Sequence, residues 1–280
     1  MNTVEMKQVS KKMDDFSINK LSFTVPKGYI TGFIGPNGSG KTSTIRMMMD
    51  VWKADQGEIK VFGQDMDTKA KQRIGFVYDD LYMYENFTID KMRSFIAPLY
   101  DTWDPTLFWK YQSKFGLPTT KKLKKFSKGM KMKCSLLFAL SHNPEFIIMD
   151  EPTAGLDPVF RRELIDLLQE LMTDENRTIF FSTHITTDLD QIADYIVFIK
   201  NGGIVFQKSM EEIKETFHIV KGKNEDLDPD IQKMFEGIRQ TDQGFSGLFT
   251  GNLSLFDGFE DRVLIEKATL EDIMYFMLKR

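Results

Sequence analysis

Apolar residues along this chain follow two rhythms, one fitting strands and one fitting helices. Leu21 to Val25 alternates, Pro26-Lys27-Gly28 supplies a turn, and Tyr29 to Ile34 reads as a buried strand. A glycine-rich loop follows, then a helix with Ile45, Met47, Met48 and Val51 among its apolar positions. Gly57 to Gly63 and Ile74 to Tyr78 are short strands. From about Leu81 to Phe126 the chain turns aromatic-rich and mostly helical, with helical spacing over Lys91 to Tyr100 and Pro105 to Phe115. Alternation then resumes, with strands at 146–150, 178–182 and 195–199 and helices at 158–172 and 186–193. Strands alternating with helices imply a largely parallel sheet covered by helices, here interrupted by a helical insertion.

Past Lys208 a tail of roughly 70 residues has its own pattern. It reads as β at Phe217 to Val220, a short helix near Asp230 to Phe235, β at Phe245 to Phe249, and a strand Val263 to Glu266. A last helix starts at Leu270, with Thr269 and Asp272 spaced as a reciprocal cap. The expected division is therefore a main domain over 1–210, its helical part at about 81–140, and a small α+β extension over 211–280.

Composition narrows the functional classes. The 280 residues are 41% hydrophobic and 28% charged, an ordinary globular balance. The net charge of -4 gives no global basic field, so no nucleic-acid partner is expected. Cys134 is the single cysteine, which excludes an internal disulfide framework and suits a reducing compartment. The N-terminus lacks the apolar run of a secretory signal, and no stretch approaches the roughly 20 apolar residues that cross a bilayer. A protein soluble by itself is expected, with any membrane role exercised through a partner.

Residues 35 to 42 read Gly35-Pro36-Asn37-Gly38-Ser39-Gly40-Lys41-Thr42, a G-x-x-x-x-G-K-[ST] loop between a strand and a helix. Glycines let backbone N–H groups converge on phosphate oxygens, and the following helix, through Ser43, aims its positive end at them. Lys41 is placed to reach the β/γ-phosphates and the Thr42 hydroxyl to ligate Mg²⁺. Phe146 to Glu151 is an apolar strand ending in two carboxylates, at the sheet edge where open α/β folds bind ligands. Asp150 would hold Mg²⁺, mainly through water, and Glu151 would orient or deprotonate the attacking water.

The continuation of that strand, DEPTAGLDP over 150–158, resembles the second nucleotide motif and D-loop of ABC ATPases. Phe126-Ser127-Lys128-Gly129-Met130 resembles the family signature usually written LSGGQ, 23 residues before Asp150. Ser182-Thr183-His184 resembles the switch-histidine motif, 33 residues beyond Glu151. Ser127 itself reads as the N-cap of a helix through Met132, Leu136, Leu137 and Leu140. The resemblance covers about residues 1 to 210. It implies a P-loop ABC ATPase domain of α/β class with a largely parallel core sheet, an antiparallel N-terminal β part and a helical signature subdomain. It further implies that Ser127, Lys128 and Gly129 contact the γ-phosphate bound by a second subunit, that Asp157 packs across the same interface, and that His184 reports hydrolysis.

Departures from the family pattern are local. Asp79-Asp80 stand where a glutamine is usual, and Asp79 could still approach Mg²⁺; such acidic replacements resemble those of bacterial drug and peptide exporters. Lys128 and Met130 replace the commoner glycine and glutamine. The aromatic that stacks on adenine falls by spacing at Lys12-Met13, which is not aromatic, and Phe16 is the nearest candidate.

The resemblance implies an ATP-hydrolysing subunit, using ATP and Mg²⁺, that powers transport through separate membrane-spanning permease subunits. Export of peptide or drug is favoured. The second ATPase subunit is expected to be a copy of this chain, with a heterodimer open, at the cytoplasmic face of the membrane. The alternative is a soluble ABC ATPase acting on nucleic acid or ribosomes. Against it stand the gap of 86 positions from Lys41 to Ser127, too short for a coiled-coil insertion, and the single ATPase module.

Overall fold

The two rhythms sort into two kinds of sheet. The computed structural model describes residues 1–79, 81–227, 229–258 and 262–279. Strands β1 (Asn2–Lys12) and β2 (Ser17–Pro26) form an antiparallel hairpin, and β3 (Ile30–Ile34) leads through the glycine-rich loop into α1 (Lys41–Met48). Strand β4 (Gln56–Val61) returns antiparallel to β1, completing a three-stranded sheet of order β2-β1-β4. Helix α2 (Thr68–Gln72), capped by Asp67, precedes β5 (Ile74–Val77).

The aromatic-rich region holds α3 (Ile89–Ile96), α4 (Pro105–Lys114) and α5 (Lys128–Leu140), capped by Thr88, Asp104 and Ser127 in turn. Phe108 and Tyr111 are buried there, whereas Tyr82 and Tyr84 are 68% and 69% exposed. The chain re-enters the sheet with β6 (Phe146–Asp150), α6 (Pro158–Leu171), β7 (Thr178–Thr183), the single turn α7 (Leu189–Ile192), β8 (Tyr195–Lys200) and β9 (Gly203–Ser209).

The resulting sheet has order β5-β6-β7-β3-β8-β9, and its β5–β6, β6–β7, β7–β3 and β3–β8 pairs are parallel. Every residue of β3, β6 and β7 is buried, the property that makes such strands read as unbroken apolar runs. Phe33 packs on Phe23 of the antiparallel sheet and on Phe180 of β7, with ring centroids 5.5 and 5.2 Å apart. Strand β1 went unread because its alternation breaks. Val4 and Met6 are buried, the register shifts beyond Met6, and Gln8 takes a φ of 52° before Val9 returns to the core. The helix expected over 186–193 is a 3₁₀ turn, Thr186–Asp188, followed by the one turn of α7.

Two compact units divide the chain: Met1–Ile185 with Tyr195–Gln207, and Thr186–Asp194 with Lys208–Arg280. In the second unit, α8 (Met210–Thr216) precedes β10 (His218–Gly222). Then come α9 (Pro229–Gln232), β11 (Phe235–Thr241), β12 (Gly244–Phe249), β13 (Val263–Lys267) and α10 (Leu270–Leu278). The strands form an antiparallel sheet of order β11-β12-β10-β13. One face carries a core of Val220, Phe245 and Phe249 with Phe235 and Phe256 against it. Helix α10 packs on β11 and β12 and starts with the Thr269–Asp272 capping box expected from the sequence. Residues 186–194 belong here because Asp190 accepts the Leu270 N–H (3.3 Å) and the Asp194 carbonyl accepts the Met210 N–H (2.8 Å). Strand β11 had no sequence signal, since Gly237 and a register shift interrupt its alternation.

Candidate active site

Parallel strands deliver their C-terminal ends to one edge of a sheet, and four loops meet there. The loop after β3 is residues 35–40, β6 ends in Asp150, β7 ends in Thr183 and β5 runs into Tyr78-Asp79. Registers pair Ile34 with Thr183 and Asp150 with Ser182, so these ends are level. A cleft of about 480 Å³ opens at this edge, lined by Met13, Phe16, Asn37, Gly38, Gly40, Lys41, Thr42, Ser43, Asp79 and Glu151. That volume suits a nucleotide-sized ligand.

Helix α1 opens without a side-chain cap, so its first N–H groups remain directed at the loop. Its leading residue, Gly40, has φ 108°, and a Cβ there would lie 2.5 Å from Ile18 Cδ1 and 3.1 Å from the Phe16 ring. The Ser39 hydroxyl is buried within the loop without a hydrogen-bond partner among the described residues.

Lys41, 5% exposed, donates to the carbonyls of Gly35 (2.7 Å) and Pro36 (3.2 Å), and its Nζ lies 3.0 Å from Glu151 Oε1. The other carboxylate oxygen, Oε2, accepts the His184 backbone N–H (3.2 Å) and lies 2.7 Å from His184 Nδ1. Glu151 holds this position with a φ of 49°, costly for a residue with a Cβ, and its N–H donates to the Ser182 carbonyl at 3.0 Å. Three strand ends thus contribute one polar row, lysine–glutamate–histidine.

Asp150 sits beside that row. Its Oδ1 accepts the Ser182 hydroxyl at 2.6 Å, and the Thr42 side chain also hydrogen-bonds it. Burial pushes its carboxyl above the ordinary range. The two hydroxyls oppose that rise, and the charges of Asp79 and Glu151 add to it. This donor set is a carboxylate, a hydroxyl and a nearby second carboxylate. It fits Mg²⁺, which binds through one or two carboxylates plus substrate phosphates and water. Among the described residues no cluster of three or more His, Cys, Asp or Glu could hold a metal without such help.

The cleft gathers Phe16, Asn37, Gly38, Gly40, Lys41, Thr42, Ser43, Asp79 and Glu151, with Gly35, Pro36, Asp150 and His184 bonded to them. Asp80 lies outside the described residues. Ser127, Lys128, Gly129 and Asp157 do not line it. Ser127 caps α5 by accepting the Met130 N–H, and Asp157 caps α6 by accepting those of Val159 and Phe160. These two helix starts adjoin: Lys128 lays its ammonium over Gly155, and Gly129 faces the Phe160 ring. Two cleft-side residues escaped the sequence reading. Met13, at the position the spacing marks but without an aromatic ring, donates its backbone N–H to the Phe16 carbonyl at 2.8 Å. Ser182 was quoted only as part of a motif, and its bond to Asp150 depends on strand register.

Sequence comparison decides the family. The sequence profile described as ABC transporter matches residues 18–154. The bacitracin transport ATP-binding protein BcrA of Bacillus licheniformis is 34% identical over 204 residues, 71% of this chain and 67% of that protein. The chain belongs to the ABC transporter ATP-binding proteins. As an ABC ATPase it binds and hydrolyses ATP within a transporter. A second similar family member is the lantibiotic transport ATP-binding protein SrtF of Streptococcus pyogenes, 29% identical over 72% of this chain and 89% of its own. The ABC ATPase fold recurs in a dimeric ATP-binding cassette solved in a post-hydrolysis state with ADP and phosphate. That chain has a TM-score of 0.65 and 21% identity, covering 74% of this chain and 98% of its own. No described helix of this ABC ATPase is long and apolar enough to cross a membrane.

Proposed function

We propose that this chain is the ATPase subunit of an exporter of peptides or peptide-like drugs, working in pairs beneath separate membrane-spanning permease subunits. The reading rests chiefly on the row Lys41–Glu151–His184 at the mouth of the phosphate loop. The bacitracin and lantibiotic transport names of its relatives support the cargo class.

Lys41 and the N–H groups opening α1 bind the terminal phosphates of ATP, with Asn37, Ser39 and Ser43 completing the cradle. Phe16, with Met13, forms the platform for the base. Glu151, oriented by both the ring and the backbone of His184, accepts the proton of the attacking water. His184 then loses or keeps its grip on that carboxylate according to whether the phosphate remains. Thr42, Asp150 and Asp79 are the residues that would hold Mg²⁺, which when bound neutralises charge on the phosphate oxygens.

Ser127, Lys128 and Gly129 form a capped helix start, an anion-binding device, yet stand outside their own chain's cleft. That placement suits a composite site in which they meet nucleotide held by a second copy, with Asp157 at the same seam. Closing two such sites on ATP and reopening them on hydrolysis would drive the membrane subunits. Tyr82 and Tyr84, the most exposed aromatics of the helical part, are the surface those subunits would grip.

Glu151→Gln tests the reading. ATPase activity should fall about 10²–10⁴-fold, the usual contribution of a positioned general base. Light scattering should show an ATP-dependent dimer. Retained turnover, or a monomer at saturating Mg-ATP with the permease also failing to restore pairing, overturns it. Charge substitution at Tyr82 or Tyr84 should uncouple transport and spare basal ATPase; unchanged transport removes that surface from the account.

A further inference from the structure

The second unit is strongly acidic, with eighteen Asp and Glu residues against ten Lys and Arg, a net of about -8. Against that background two of its cations converge on one groove. The groove, about 410 Å³, lies at the β11–β12 hairpin end of the antiparallel sheet and is lined by Lys221, Arg239, Thr241, Gln243 and Ser246, with Phe245, Gly244 of the hairpin and Gly222 at the end of β10. Register explains the convergence. Arg239 pairs with Ser246, and Ser246 pairs with Lys221, so the three stand in one row across β11, β12 and β10. Directly opposite residues share a face with Cβ atoms roughly 5 Å apart. The row therefore reads cation, hydroxyl, cation. Phe245 and Val220 point into the core on the other side.

Both cations are braced. The Glu266 carboxylate holds the Lys221 ammonium, and the Tyr275 hydroxyl, which also accepts from Lys279, hydrogen-bonds Arg239. An ammonium has three donors and a guanidinium five, so each brace leaves N–H groups for a ligand. The Ser246 hydroxyl and the Gln243 amide make no hydrogen bond to protein among the described residues.

We propose that this groove is an anion site for a phosphate mono- or diester, with Arg239 and Lys221 on its oxygens and Ser246 and Gln243 as neutral donors. A planar guanidinium, an ammonium and neutral donors set around one groove can engage three or four oxygens at once, which a tetrahedral phosphate supplies and a carboxylate, with two, does not. Glu266 sets the affinity, because it competes for Lys221. The site shares no residue with the ATP cleft.

Full-length protein carrying Lys41→Ala, which silences the phosphate loop, is titrated with inorganic phosphate while the backbone amide resonances of Gly222, Gly244 and Ser246 are followed. The expected result is saturable movement of these resonances, weakened at least about tenfold by Arg239→Gln and by Lys221→Gln. The remaining resonances serve as the check on fold. In parallel, flotation with phosphatidylglycerol-containing and pure phosphatidylcholine vesicles separates sources. Arg239-dependent capture by the former alone assigns a lipid headgroup, and phosphate binding without capture assigns a free phosphate ester. No saturable shift together with no Arg239-dependent capture overturns the proposal. So does binding unchanged in both variants.

Discussion

His142 follows α5 and lies 1% exposed, its ring stacked on Tyr100 with centroids 3.9 Å apart and planes 13° from parallel. Its carbonyl accepts the Thr102 hydroxyl, but among the described residues neither ring nitrogen has a well-formed hydrogen bond. Burial pushes its pKa from 6.5 down to about 4, against a small opposing pull from the Gln72 and His142 backbone. Because the folded value lies below the unfolded one, the unfolded chain binds the extra proton. The contribution is fully present above about pH 6.5 and is lost as pH falls towards 4. At about 1.4 kcal/mol per pH unit the ceiling is about 3 kcal/mol. At pH 5 the unfolded ring is almost wholly charged and the folded ring about one-tenth so, which removes about 2 kcal/mol relative to pH 7. Urea unfolding of the wild type and of His142→Phe, which keeps the stack and cannot titrate, reads this difference directly. The variant should lose about 2 kcal/mol less than the wild type between pH 7 and 5. Equal losses in the two proteins would refute the reasoning, since the acid sensitivity would then reside elsewhere.

Other consequences are as accessible. Among the described residues, the proposed base end of the cleft offers Met13 and Phe16, whose side chains present no hydrogen-bonding edge, so ATP and GTP should bind within about tenfold of each other; a competition assay with strong ATP preference would count against this. Phe16→Ala should weaken both by a similar factor, about tenfold for a lost stacking partner. Asp157→Ala removes the cap on α6 and should cost about 1 kcal/mol, seen calorimetrically as a fall in Tm of about 2–4 °C. An unchanged Tm would mean that water or a neighbouring donor replaces the cap.

The parallel core was legible because strands buried on both faces are written as apolar runs, as in Phe146 to Met149 and Ile179 to Phe181. Strand β1 was hidden by its bulge, and β9 by a half-buried pattern too weak to separate from loop. The phosphate loop was readable because its chemistry is contiguous. The bond from Ser182 to Asp150 was not, since it exists only through the β6–β7 register. Met13 carries no aromatic ring, so its place beside Phe16 in the cleft is not legible from residue type. In the second unit, the capped α10 was plain, while Arg239 and Lys221 meet only because the β11–β12–β10 pairing aligns residues 18 apart in sequence.

The helical part leaves the sheet after β5 and returns as β6, and these two strands are hydrogen-bonded neighbours. The pairing is parallel, so the exit at Val77 and the re-entry at Phe146 lie at opposite ends of two neighbouring strands, a fixed offset whatever the intervening chain does. The separations among Lys41, Glu151 and His184 are set by interstrand spacing, not by the length or sequence of residues 81–140. The excursion is therefore an exchangeable cartridge. A chimera that receives another protein's helical insertion at these two strand ends keeps Lys41, Glu151 and His184 in place while exchanging the exposed Tyr82 and Tyr84 and the Ser127-capped helix start together, so whatever those two features contact changes as one unit.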